Sequence, residues 1–154
     1  MSDHVPGLSV FLWFDVEAEA AALHYLATFG ETDPPRYSRP RPDAPAFGVA
    51  FSLRGRAFVA LNGGPARNFT PAFSLCVDCA DQAEVDHFWA RLGEGGKPGR
   101  CGWLTDKFGV SWQVTPRALP TLLSRGPAVM KAMLTMSKLD IAALAQAGEP
   151  RGKP

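Results

Sequence analysis

The sequence has few of the features that would assign it to a specialised class of protein. Its 154 residues include three cysteines, an odd number that indicates reduced thiols and not a disulfide framework. The formal net charge is +1, which gives no broad attraction for nucleic acid or an anionic membrane. The apolar run at residues 10–14 is far shorter than the roughly 20 residues of a membrane span. We therefore expect a cytoplasmic protein with no nucleic-acid or membrane partner.

The sequence also lacks a strong cofactor motif. No GxGxG follows the first predicted strand, where a dinucleotide-like methyl-donor site would carry it. The glycines at 63–64 and around 95 follow a strand or a helix, so they lack the helix N-terminus that phosphate sites use. Cys76 and Cys79 form a CxxC, but residues three apart on a strand point to opposite faces, and no second CxxC accompanies them. We predict no cofactor and no zinc.

What the sequence does contain is a clear β-hairpin at residues 100–116, RCGWLTDKFGVSWQVTP. Two runs rich in β-branched and aromatic residues flank a turn that ends at Gly109. After the turn, Val110, Trp112 and Val114 alternate with Ser111, Gln113 and Thr115. A period of two sends the first set into a core and leaves the second set on a polar surface.

The order of elements repeats along the chain. FDVEAEAAALHYL, from Phe14, resembles VDCADQAEVDHFW, which begins 63 residues later at Val77. Each segment combines a strand end with an amphipathic helix, and hairpins centred on Gly55 and Gly109 complete the halves. Self-similarity at a fixed spacing predicts a duplicated strand–helix–hairpin unit. We expect modules at about residues 7–64 and 70–116, a helical extension at 117–147 and a tail at 148–154.

Two further segments leave alternatives open. The proline-rich stretch 34–45 carries Arg36, Arg39 and Arg41, and it is either a solvated loop or a basic lid for an anionic ligand. The extension contains many apolar positions, and three of the four methionines of the chain lie in it. Such a segment must pack on the body of the protein or on a partner chain, so we expect a homodimer.

Several segments resemble one protein family when they are taken together. They are FLWFDVEAEAAALHYLATFG, AFVALNGGP, SLCVDCADQAEVDHFWARL, CGWLTDKFGVSWQVTP and MKAMLTMSKLDIAAL. They resemble the PhnB-like branch, often called demethylubiquinone methyltransferases, of the vicinal oxygen chelate superfamily of glyoxalases, extradiol dioxygenases and bleomycin-resistance proteins. The resemblance implies an α+β fold in which two βαβββ modules form a curved mixed sheet around a cleft. It also implies that metal-using relatives hold a divalent ion with four side chains, usually His or Glu, from the first and last strands of each module.

This sequence departs from that metal-binding pattern. The four corresponding positions are Gln113, Ala72 or Ser74, Ser9 or Phe11, and a place within 59–62 where the polar Asn62 is favoured. None of them is His, Asp or Glu. Neutral amide and hydroxyl oxygens lack the charge and basicity that such sites use, so we predict no bound metal.

A strand is predicted at residues 71–77, with Phe73, Leu75 and Val77 facing the helix. Strand parity then places a set of neutral side chains on the cleft side. The predicted ligand-binding residues are Gln113, Ser111, Ser74, Cys76, Asn62, Trp13 and Phe11. A few polar groups among aromatic walls suit an apolar or aromatic ligand, although Gln113 and Ser111 could instead satisfy each other in a filled interior. The favoured function is small-molecule binding without catalysis. The alternatives are a metal-independent enzyme that orients its substrate with Gln113, Ser74 and Cys76, and a divalent-metal lyase, isomerase or oxygenase; no catalytic residue is assigned.

Overall fold

The structure is a computed structural model that describes residues 7–150, and the chain divides into two compact units between Phe69 and Thr70. The first unit contains β1 (Val10–Phe14), α1 (Ala18–Phe29), β2 (Arg36–Ser38), β3 (Gly48–Leu53) and β4 (Arg56–Asn62). The second contains β5 (Leu75–Cys79), α2 (Gln82–Gly93), β6 (Lys97–Pro98), β7 (Trp103–Thr105) and β8 (Ser111–Pro116), followed by α3 (Leu119–Leu123), α4 (Pro127–Met133) and α5 (Ile141–Ala147). The predicted α+β class and the repeated βαβββ order are confirmed. Most of the predicted tail lies outside the described residues.

The sheet of the first unit has the strand order β1-β4-β3-β2 and carries its helix on one face. β1 runs parallel to β4, and the other pairs are antiparallel. Small residues on α1 let the helix lie close to the sheet, and Ala18, Ala21 and Ala22 are all fully buried. The side chains that meet them from the sheet are Leu12, Phe14, Val49, Phe51, Phe58 and Ala60. Within residues 7–69, no helix lies on the opposite face of this sheet.

The second unit repeats this plan with the strand order β5-β8-β7-β6. The N-cap of α2 is Asp81, whose carboxylate accepts a hydrogen bond from the Glu84 backbone N–H at 2.9 Å. The buried face of α2 carries Val85, Phe88 and Leu92. The sheet residues in this core are Val77, Cys79, Leu104, Val110, Trp112 and Val114, so the predicted core side of the hairpin is confirmed.

The turn of this hairpin is built around the buried carboxylate of Asp106, which is 3% exposed. Its Oδ1 accepts hydrogen bonds from the backbone N–H groups of Phe108 and Val110 at 2.9 and 3.0 Å. Its Oδ2 accepts the indole N–H of Trp112 at 2.9 Å. One side chain therefore satisfies the turn and orients the largest residue of the core.

The positions of the strands differ from the sequence prediction in one respect. The strand expected at residues 71–77 is observed at Leu75–Cys79, and Phe73, expected to face the helix, is 56% exposed. The helices keep the repeat spacing, since Tyr25 and Phe88 are both buried, whereas the strand ends, Phe14 and Cys79, are 65 residues apart. The strand end is thus shifted by two residues relative to the repeat spacing of 63. Because this shift is an even number, the side chains of the strand stay on their expected faces.

The proline-rich stretch contains a short strand that the sequence does not predict. Arg36–Ser38 forms β2, which pairs with β3 at the edge of the sheet, the place where neighbouring prolines are tolerated. Arg39 holds the segment down: its guanidinium donates to the Ala44 carbonyl at 2.8 Å and pairs with Glu19 at 3.4 Å. Ala44 and Ala46 are buried beside it. The three arginines therefore have different surroundings.

The C-terminal helices pack on the second unit and on each other. Leu122, Val129, Leu139 and Leu144 form their core, and Met133 and Met136 are partly buried against it. The side chain of Gln82 on α2 bonds the backbone at Leu139 and Ile141, and Lys138 pairs with Asp86 at 2.7 Å. Packing on the body was one of the two predicted alternatives. The homodimer, and the division of the chain at residue 116, stay predictions. Across residues 7–150, no helix has the length and apolar character needed to cross a membrane.

Replacing Asp106 with asparagine should destabilise the second unit. The substituted side chain would present an NH₂ group where a carboxylate oxygen now accepts a buried N–H, so at least one donor would lose its partner. The expected loss in free energy of unfolding is about 2 kcal/mol, which urea denaturation followed by tryptophan fluorescence would measure. Asp43→Asn is the control, since the Asp43 carboxylate is 81% exposed in a surface pair. Equal stability of the two variants would contradict the role assigned to Asp106.

The anchor of the C-terminal helices should depend on pH. Hydrogen bonds from Lys138, and then from Gln82, lower the pKa of Asp86 below its ordinary value of 3.8. A carboxyl group whose pKa is lower in the folded state contributes stability that is present above the unfolded pKa and is lost as pH falls through the folded one. The stability difference between the wild type and Asp86→Asn should therefore shrink between pH 7 and about pH 2.5 in urea titrations. A difference that stays constant with pH would contradict this role of the ionised carboxylate.

Candidate functional site

The open face of the first sheet carries one row of side chains that crosses all four strands. The strand registers pair Phe11 with Val59, Val59 with Ala50, and Ala50 with Arg36. Residues paired in this way point to the same side of a sheet. The row therefore runs from an aromatic ring at β1, over two aliphatic residues at β4 and β3, to a guanidinium group at β2. Phe11 is 61% exposed although it is a large apolar residue.

A groove of about 400 Å³ lies over this row. Its floor includes Ala50, Ala57 and Val59, and Ser52 supplies a hydroxyl. That hydroxyl already donates to the Arg56 carbonyl at 3.2 Å. The remaining lining residues are Asp33, Pro34, Arg36, Phe51, Gly55 and Phe58. The volume falls within the range of small-molecule sites, and the surface of the floor is apolar.

The lining of the groove includes charged side chains, whereas the sequence predicts a neutral cleft. Asp33 and Arg36 both line the groove and both are exposed. Their charges cancel formally, but each is a separate group that a ligand could address. The prediction failed here because the proline-rich stretch was treated as lying outside the sheet, whereas β2 adds Arg36 to its open face.

Trp13 lies on the same open face and is held in place from below. Its indole N–H donates to the Gly64 carbonyl at 2.9 Å. The indole ring covers Gly63 so closely that a Cβ atom at that position would lie 2.2 Å from it. Gly63 therefore leaves room for the indole ring of Trp13, and Gly64 accepts its hydrogen bond. Phe11 and Trp13 share one face, as the sequence predicts.

Asn62 does not share that face. Its register partner on β1 is Phe14, a buried residue on the helix side of the sheet. The side-chain oxygen of Asn62 accepts the Ala18 N–H at 2.8 Å, at the first residue of α1, and its amide nitrogen donates to the Ala46 carbonyl at 2.9 Å. Both ends of the amide are engaged in fixing the start of the helix. We therefore leave Asn62 out of the candidate site; a polar residue type suggested the assignment, and strand parity overrules it.

The second unit has a different row on the equivalent face. Cys76 pairs with Gln113, and Gln113 pairs with Trp103. The Gln113 amide donates to the Ser74 hydroxyl at 2.9 Å, and the exposed thiol of Cys76 lies 3.3 Å from the Thr115 hydroxyl. Ser74, Cys76 and Gln113 are thus brought together as predicted.

Ser111 follows the predicted parity but not the predicted accessibility. Its register partner is Thr105 on β7, and the residue is only 4% exposed. The alternative in which Gln113 and Ser111 satisfy each other in a filled interior is not observed, because the Gln113 amide donates to the Ser74 hydroxyl. Ser9 and Ala72, the other positions considered, precede β1 and β5 and lie outside both strands.

The charged residues on this face of the second sheet lie outside the row of Gln113. Lys97 on β6 belongs to the row of Thr105 and Ser111 and is exposed. Asp78 pairs with Thr115 in the register, and its carboxylate accepts from the Arg117 guanidinium at 2.8 Å. The hydrogen bond to Asp78 and the charge of its carboxylate raise the pKa of Arg117. Both side chains are more than half exposed, so the pair is a surface feature and leaves Gln113 in a neutral neighbourhood.

The side chains of the two open faces do not fit a divalent metal of the kind the superfamily implies. Within residues 7–150, no three His, Cys, Asp or Glu side chains come close enough together to hold an ion. Facing outward on β4 are Val59 and Leu61, which carry no donor atom, and β8 presents the neutral Gln113. Both histidines in this range, His24 and His87, lie on helices beside Tyr25 and Phe88. His87 is exposed.

Sequence reasoning missed four residues of these rows: Ala50, Val59, Trp103 and Arg36. Part of the signal was present in the hairpin at Gly55, because counting outward from its two-residue turn sets Val59 opposite Ala50, as observed. The longer turn before Gly109 does not fix the register by counting, and the structure sets Trp103 opposite Gln113. Arg36 could not be found in this way, since its strand is joined to β3 by a long connection and not by a tight turn.

Comparison with known proteins agrees with the fold. The PhnB protein from Bacillus cereus is 29% identical over 71% of this chain and 98% of its own, with a TM-score of 0.61. Protein PA1353 from Pseudomonas aeruginosa is 20% identical over 71% and 96% of the two chains, with a TM-score of 0.58. A glyoxalase/bleomycin resistance protein from Albidiferax ferrireducens T118 is 17% identical over 71% and 96%, with a TM-score of 0.50. The last two likenesses concern the fold alone.

The family follows from the sequence match. A search of the curated proteins found no significant match. The profile of one family, described as 3-demethylubiquinone-9 3-methyltransferase, matches residues 6–115. That range contains both βαβββ units, and the predicted resemblance to PhnB-like proteins of glyoxalase-like fold is confirmed. Since the match covers more than half of the sequence, the chain belongs to the 3-demethylubiquinone-9 3-methyltransferase family.

Proposed function

We propose that the protein binds an apolar or aromatic small molecule without a metal ion and without transforming it. The observation that carries this proposal is the open face of the first sheet, where an exposed Phe11 lies next to Val59, which lines a groove with an apolar floor. Large apolar side chains on a surface groove lose unfavourable contact with water when a ligand covers them.

The donor chemistry of the two faces supports the absence of metal. Val59 and Leu61 cannot ligate an ion, and the amide of Gln113 already donates to Ser74. A divalent metal needs charged or strongly basic ligands, which these positions do not supply. The ligand is therefore held without a metal ion, chiefly by contact with the apolar floor of the groove.

Methyl transfer, which the family description names, is not part of the proposal. A methyl-donor nucleotide would need a glycine-rich turn after a strand, so that the backbone can approach it closely. The turn between β1 and α1 is Asp15-Val16-Glu17, and the turn between β5 and α2 is Ala80-Asp81. Neither turn contains a glycine.

A metal-independent enzyme is the second candidate, and one observation favours it. The exposed thiol of Cys76 lies on the same face as the hydrogen-bonded pair of Gln113 and Ser74. These groups could orient a substrate. Reaction chemistry would also need an acid and a base matched to it, and that requirement makes binding the preferred function.

Filling the groove should abolish binding. We expect 2-naphthamide, a neutral two-ring probe, to bind the wild type in isothermal titration calorimetry. Ala50→Phe should weaken this binding at least about tenfold, because the new ring occupies the floor of the groove. Ala27→Phe is the matched control, since Ala27 is exposed on α1, and its Kd should stay within about twofold of the wild type.

Two further measurements on the same samples separate the candidates. Mass spectrometry should recover the probe unchanged after long incubation, and metal analysis of the purified protein should find far less than one divalent ion per chain. If the protein converts the probe, and the conversion stops when Cys76 or Gln113 is replaced, the enzyme is favoured. A stoichiometric divalent ion, or equal binding by Ala50→Phe and the wild type, would refute the proposal.

A further inference from the structure

We propose that the ligand of the first unit carries an anionic group at one end of its apolar body, and that Arg36 binds that group. This inference rests on the proposed function, because it assumes that the groove over β3 and β4 holds a small molecule. It adds the chemical class of the ligand, an aromatic or apolar carboxylate or a similar monoanion, and it assigns the residue that selects it.

The register of the sheet gives the inference its geometry. Phe11, Val59, Ala50 and Arg36 form consecutive members of one row, each on a different strand. Strands lie about 4.8 Å apart, so the two ends of the row are separated by roughly 14 Å at the backbone. A planar aromatic acid has the length to contact the apolar part of the row while its carboxylate meets the guanidinium.

Only one of the three arginines of the proline-rich stretch is available for such a ligand. Arg39 is engaged with Glu19, with the Ala44 carbonyl and with the ring of Tyr37, 4.6 Å from its guanidinium carbon. Arg41 pairs with Asp43 at 3.6 Å on the surface. Arg36 lines the groove, and within the described part of the chain its side chain makes no ion pair or hydrogen bond.

A guanidinium group without an ion pair, next to the apolar floor of a groove, favours a ligand that carries an anionic group. Arginine presents N–H groups in a planar fork that matches the two oxygens of a carboxylate, and a charge-assisted bond of this kind is stronger than a neutral one. Water competes for an exposed guanidinium, so the bond at Arg36 contributes less to the binding free energy than a buried bond of the same kind would. Its main effect is to favour an anion over a neutral compound of the same shape.

Asp33 lines the same groove and acts against an anion. Its carboxylate is exposed and follows the end of α1, three residues before Arg36. Repulsion from this group should reduce the preference for an anionic ligand without removing it, because only Arg36 belongs to the row on the sheet face. Removing the Asp33 charge should therefore tighten the binding of an anion and leave a neutral ligand unaffected.

The test compares 2-naphthoate with 2-naphthamide, two probes of the same ring system and nearly the same size that differ in charge. Titration calorimetry of the wild-type protein should give a lower Kd for the carboxylate. Arg36→Gln should raise the Kd of 2-naphthoate about fivefold and change that of 2-naphthamide by less than about twofold. Asp33→Asn should lower the Kd of 2-naphthoate about twofold. Raising the salt concentration should weaken the binding of 2-naphthoate and leave that of 2-naphthamide unchanged.

Two variants control for position and for charge. Arg41→Gln removes a nearby arginine that lies outside the groove, and both Kd values should stay at their wild-type levels. Arg36→Lys keeps a positive charge but loses the planar fork, so it should retain part of the preference. If Arg36→Gln does not fold, the Arg36→Lys and Asp33→Asn variants and the salt dependence still test the inference.

The outcomes distinguish this inference from the proposed function on which it rests. If both probes bind equally and Arg36→Gln changes neither, the inference is refuted and the apolar binding function stands. If neither probe binds the wild type, both are refuted. If analytical ultracentrifugation shows a dimer that Ala50→Phe disrupts and that excludes 2-naphthoate, the groove is an interface between two copies of the chain, and the inference is refuted as well.

Discussion

The alternation of side chains along each strand is the constraint on which the rest of this structure depends. In both units a helix covers one face of a four-stranded sheet, and every second residue of each main strand is buried against it. The remaining residues are then displayed in rows across the opposite face. The same physical rule that builds the core thus also decides which side chains a ligand could meet.

Two polar groups keep the rows in register. Asp106 gathers two backbone N–H groups and the indole of Trp112 at the turn before β8. Asn62 joins the end of β4 to the start of α1 and to the loop at Ala46. Both residues are polar, both lie near a strand end, and neither presents its polar atoms to the open face. A polar residue at a strand end is therefore a poor indicator of a binding site unless its parity is known.

The two units differ on their open faces while keeping the same kind of core. At equivalent rows, the first presents Phe11, Val59 and Ala50, and the second presents Cys76, Gln113 and Trp103. The buried positions remain mostly aliphatic or aromatic in both. A duplicated unit can change its exposed row at little cost in stability, because those side chains make few contacts with the core. The first unit offers apolar area and the second offers neutral hydrogen-bonding groups.

Much of this arrangement can be predicted from the sequence. Periodicity identified the hairpin around Gly109, the two amphipathic helices and the βαβββ order, because burial against a helix leaves a pattern of period two or 3.6. Parity placed Phe11, Trp13, Cys76 and Gln113 on open faces. What only the tertiary structure decided is which strands are neighbours and in which register. The pairing of β2 with β3 puts Arg36 beside Ala50, and the pairing of β4 with β1 places Asn62 on the helix side. Pairing between strands depends on contacts between residues far apart in the chain, and local sequence patterns carry no direct record of those contacts.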